Sequence, residues 1–234
     1  YGEALWSAAK DLYEGGDYAR AAVYLEQAHA SAASDEQRSY IRLLHGRVMA
    51  AMGRHRDAIE QFEGVIAMSA NNLHAYEAVY EKGLSLLELG EFKKACEVFG
   101  QVVEGKGLFT SEADIWQRSL PLLGYTCYRT GDYGKAIQIL DETLVRQLPT
   151  PSCPLGKLEV QFYLAESLRL NPEKVVERRC ENLERAVKLY GEVITALAGF
   201  LLLATPLLLR AATGQALIAG VASYESLLAT STPY

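Results

Sequence analysis

Apolar residues recur at three- and four-residue spacing along most of the chain, broken by short polar stretches that contain Gly. That spacing predicts amphipathic helices, each carrying one stripe to bury. A longer pattern lies over it. Gly16-Asp17-Tyr18 is followed by Ala21 and Leu25, Gly53-Arg54-His55 by Ala58 and Phe62, Gly90-Glu91-Phe92 by Ala95 and Phe99, and Gly131-Asp132-Tyr133 by Ala136 and Leu140. The four alanines stand 37, 37 and 41 residues apart. Twelve positions before each alanine is a small residue, Ala9, Gly46, Gly83 or Gly124. Nine before it is Leu12, Met49, Leu86 or Cys127.

Each position has a physical reason. The upstream small residue and the downstream Ala let two antiparallel helices approach closely, where a larger side chain would push the axes apart. The Gly between them ends the first helix, because it adopts the left-handed conformation most readily. A lone pair cannot cover its own stripe, so neighbouring pairs stack into a solenoid.

Small residue, Leu, Gly, aromatic, Ala and aromatic or Leu in these relative places resemble the tetratricopeptide repeat. The resemblance implies an all-α fold: a right-handed superhelical solenoid of antiparallel helix pairs, about four to five units, followed by a C-terminal apolar helical segment. Units are expected near 2–35, 39–72, 76–109 and 117–150, with a degraded fifth at 158–200, so that 1–190 is the solenoid domain. The family unit is 34 residues; the extra residues here are expected in the linkers. In the family, the first helix of every pair lines a concave groove near its second, fifth, ninth and twelfth positions. Carried over, these include Trp6, Lys10 and Tyr13, then Tyr40 and Arg47, then Tyr80, then Tyr125 and Tyr128, and finally Phe162. Aromatics on an open face would suit a protein or peptide partner; the alternative is packing between adjacent first helices. Chaperone-binding members hold a carboxylate tail with a Lys, Asn, Asn, Lys, Arg set, but the matching places here hold Trp6, Lys10, Leu44, Glu77 and Glu81. Two acids where bases are needed argue against that function.

No residue pattern points to catalysis, a cofactor or a metal. Gly100–Gly107 approaches a phosphate-binding loop but ends in Gly where Ser or Thr must hold magnesium. His29, His45, His55 and His74 do not pair at metal-ligand spacing. A net charge of −6 argues against nucleic acid. Cys96, Cys127, Cys153 and Cys180, with no C-x-x-C pair, fit free thiols in a reducing intracellular compartment, cytosol or organelle interior.

Charge is unevenly spread. Of 23 basic and 29 acidic residues, only Glu192, Arg210 and Glu225 fall within 191–234. Residues 193–209 carry no charge, so the tail is expected to contact a membrane or to be buried by protein. Two functions follow as expectations. One is a non-catalytic adaptor, a member of a hetero-oligomeric complex that binds a partner segment in the groove. The other is a membrane-anchored receptor or a subunit of a membrane complex, with 191–234 in the bilayer.

Overall fold

The computed structural model describes residues 2–68, 73–105, 114–147, 155–172 and 176–203. Among them are ten helices and no strand: α1 (Gly2–Glu14), α2 (Tyr18–Ala30), α3 (Asp35–Ala51), α4 (His55–Met68), α5 (Leu73–Glu88), α6 (Phe92–Glu104), α7 (Asp114–Thr130), α8 (Tyr133–Val145), α9 (Lys157–Leu170) and α10 (Val176–Leu203). The described residues divide into two units, one up to Ala186 and one from Val187.

In the first unit each helix packs on its neighbours in sequence from α1 through α9, and first helices also touch one another: α1 with α3, α3 with α5, α5 with α7 and α7 with α9. This is the all-α solenoid that the repeat pattern predicts. The four expected glycines end α1, α3, α5 and α7 with φ of 80, 75, 72 and 83°. In each turn the residue after the Gly donates its N–H to a carbonyl five residues back, Asp17 to Leu12, Arg54 to Met49, Glu91 to Leu86 and Asp132 to Cys127, at 2.8–2.9 Å. Asp17 and Asp132 then cap the next helix, accepting from the backbone N–H of Arg20 and Lys135.

The small residues sit where the pattern puts them. A Cβ added at Gly46 would lie 2.4 Å from the Phe62 ring, at Gly83 2.7 Å from Phe99, and at Gly124 2.6 Å from Leu140. Ala21, Ala58, Ala95 and Ala136 are fully buried, as are Leu25, Phe62, Phe99 and Leu140.

One expectation needs correcting. α3, α5 and α7 begin at Asp35, Leu73 and Asp114, ahead of the expected 39, 76 and 117, so the extra residues of these repeats are partly helix rather than linker. For α3 the cause is visible: Ser34 accepts a hydrogen bond from the Gln37 N–H at 3.1 Å, with Asp35 and Glu36 in the first turn.

α9 packs on α7 and α8 as a first helix would. The start of α10 reaches α8, where Arg185 donates to Asp141 at 2.9 Å. In the second unit, α10 continues through 187–203. Of the uncharged segment 193–209, residues 204–209 lie outside the described residues, as does all of 210–234. Among the described residues no helix is long and apolar enough to cross a membrane.

Candidate partner-binding face

The inward-repeating positions of the first helices meet across the repeats in three groups. The first is aromatic. Trp6 on α1 packs edge-on against Tyr40 on α3 with centroids 5.4 Å apart, and Tyr40 against His74 on α5 at 5.4 Å. These rings, with Ser34, Glu36, Gln37 and Ile41, line an open cleft of about 350 Å³.

The second group is ionic. Arg47 on α3 donates from Nε to Glu81 at 2.8 Å and from Nη2 to Glu77 at 2.9 Å, both carboxylates being one turn apart on α5. Burial would lower the Arg47 pKa, but Glu81 and Glu77 outweigh it and raise it further. The fork therefore holds a permanent charge and joins the second helix pair to the third. Tyr13, on α1, feels both Arg47 and Glu81, and burial pushes its pKa up. Lys10 lies at the α1 surface in an ion pair with Glu14 at 3.8 Å.

The third group is a continuous run of six rings over α6 to α9. Phe92 meets Tyr125 at 6.2 Å, Tyr125 meets Tyr163 at 4.7 Å, Tyr163 meets Tyr128 at 5.4 Å and Phe162 at 5.5 Å, and Tyr128 meets Tyr133 at 6.2 Å. The Arg129 guanidinium lies 3.7 Å over Phe92 and 5.5 Å from Tyr125, and donates to the Tyr125 hydroxyl. Burial raises the pKa of Tyr128 and Tyr163, so both hydroxyls stay protonated donors. Phe162 is 41% exposed, a large apolar ring open to solvent beside half-buried tyrosines.

The nine residues singled out from the sequence thus divide. Tyr125, Tyr128 and Phe162 come together, as do Trp6 and Tyr40, while Tyr13 and Arg47 are neighbours. Tyr80 does not join a face: it is 3% exposed, packs on Phe99 at 6.2 Å and lies under the Arg118 guanidinium at 4.5 Å. Tyr163, Phe92 and Tyr133 were missed by sequence reasoning. The signal for the last two was present, because both are the aromatic that follows each helix-ending Gly.

Residues 43–105 match the family model of the tetratricopeptide repeat. That segment therefore carries the tetratricopeptide repeat. Solved tetratricopeptide structures share its fold at low identity. A tetratricopeptide repeat protein from Parabacteroides merdae is 15% identical, with a TM-score of 0.64, covering 84% of this chain and 67% of that one. MamA from Desulfovibrio magneticus is 18% identical, with a TM-score of 0.63, covering 85% and 96%. YrrB, described as a tetratricopeptide protein with an unusual peptide-binding site, is 17% identical, with a TM-score of 0.59, covering 83% and 89%. No curated protein sequence matches the chain. Within it the acids at the chaperone-clamp positions, Glu77 and Glu81, are engaged by Arg47.

Proposed function

We propose that the protein is a non-catalytic interaction scaffold that captures a partner segment, within a larger assembly, on the aromatic face of α7 and α9. The observation that carries this reading is the run of six rings ending at exposed Phe162. Half-buried tyrosines offer a large, pre-positioned area with hydroxyls still able to hydrogen-bond, so little side-chain order is lost on binding. The peptide-binding site named for YrrB lends support by analogy of fold. Tyr40 and Trp6, with the cleft beside them, extend the same reading towards the N-terminal end of the first helices. Four cysteines without a C-x-x-C pair are the reason a reducing compartment belongs to this proposal.

Selection from a displayed library of random peptides tests the reading. Selected peptides are expected to lose about tenfold or more in affinity on Tyr128→Ala with Phe162→Ala, the size of loss at an aromatic hot spot, while circular dichroism stays unchanged. Peptides that bind the double variant as tightly as the parent overturn the assignment of this face.

A further inference from the structure

Cys96 on α6 and Cys127 on α7 face each other with Sγ atoms 3.6 Å apart, across the junction between the third and fourth helix pairs. Cys127 is fully buried, whereas Cys96 is partly open to solvent. We propose that these two thiols form a reversible disulfide that clips the third helix pair to the fourth in response to a hydroperoxide.

The roles follow from access and charge. A small oxidant in solution reaches Cys96 and is kept from Cys127. The hydrogen bond from the Cys127 thiol, with the Lys135 ammonium adding to it, brings the Cys96 pKa down to about 6 against the effect of burial, while Cys127 is pushed up. Lys135 is itself held in place by Glu104 at 2.7 Å. Cys96 is thus the thiolate that attacks first, and Cys127 the thiol that resolves.

The chemistry balances in two steps. The Cys96 thiolate attacks the hydroperoxide: an S–O bond forms, the O–O bond breaks, and the leaving alkoxide or hydroxide takes a proton as alcohol or water. The sulfur of Cys127 then attacks the sulfenic sulfur, an S–S bond forms, the S–O bond breaks, and water leaves with the Cys127 proton. Two thiols are oxidised and one hydroperoxide is reduced. A dithiol reverses the reaction by exchange. Closing the sulfurs from 3.6 Å to a bond of about 2.05 Å asks for a shift on the order of 1.5 Å, within reach of side-chain rotation and a small slide of α6 on α7.

The experiment treats the reduced full chain with hydrogen peroxide, alkylates what remains and maps the peptides. The expected result is a linked peptide pair containing Cys96 and Cys127 within one chain, with a Tm raised by roughly 5–15 °C and restored by dithiothreitol. In Cys127→Ser the resolving thiol is gone, so dimedone should trap a sulfenic acid on Cys96. The wild-type map decides even if that variant folds poorly. Cys96 and Cys127 both left alkylatable while exposed Cys180 is oxidised would overturn the proposal, and so would a link from Cys96 to any other cysteine or to a second chain.

Discussion

At Gly83 a Cβ would stand 2.7 Å from the Phe99 ring, and at Gly46 2.4 Å from Phe62, so the two helices of a pair approach to within less than one methyl group. Gly83→Leu is expected to lower stability by about 1–3 kcal/mol or more through overpacking, read as a drop in Tm. An unchanged Tm would mean that this contact has slack. Such contacts were legible because one small residue and one bulky residue recur at fixed separation. Tyr80 was not legible in the same way. Periodicity assigns it to a side of its helix, but its burial is decided by Phe99 and Arg118 from neighbouring helices. Tyr163 sits one residue from Phe162 and fell outside the carried-over positions, though its ring joins Tyr125, Tyr128 and Phe162.

Between elements, stability depends on contacts that no single helix contains. Arg47 bridges Glu77 and Glu81, residues 30 and 34 further along the chain. A base followed one repeat later by two acids a turn apart was a usable sequence signal, read instead as unfavourable chaperone positions. A double-mutant cycle of Arg47→Ala with Glu81→Ala is expected to give a coupling of about 1 kcal/mol, reduced by salt; zero coupling would make the pair a passive surface contact. At the junction of α2, α3 and α4, His29 and His45 share a cleft of about 330 Å³ with Glu26, Arg42 and Gln61. Their Nε2 atoms are buried and have no hydrogen-bond partner among the described residues. Burial lowers both pKa values, with Arg42 acting in the same direction and Glu26 opposing at His45. The folded state therefore binds fewer protons than the unfolded chain, in which histidine titrates near 6.5. Stability is expected to be full above about pH 7 and to fall as pH drops through 6.5 and below. Urea midpoints at neutral and mildly acidic pH should show a smaller fall in His45→Gln than in the parent, and an equal fall would remove His45 as a cause.

Among the described residues, the all-α stack of helix pairs was readable from sequence because the first four units solve the same packing problem with similar residues. The starts of α3, α5 and α7 were not, because a cap such as Ser34 competes with the linker for the residues in between. What distinguishes one solenoid from another, the rings from Phe92 to Phe162, arises where unlike repeats meet and leaves only a faint trace in any one of them. The same modularity has a bearing on the order in which the chain takes shape. Each of the first four pairs closes through a tight turn at a left-handed Gly, so its first contacts are local and form in microseconds. A ribosome adding roughly 5–20 residues per second delivers a repeat only every ~2–7 s. Each hairpin can thus close and dock on its predecessor long before the next has emerged, and the nascent solenoid lengthens pair by pair with one uncovered apolar face always at the growing end.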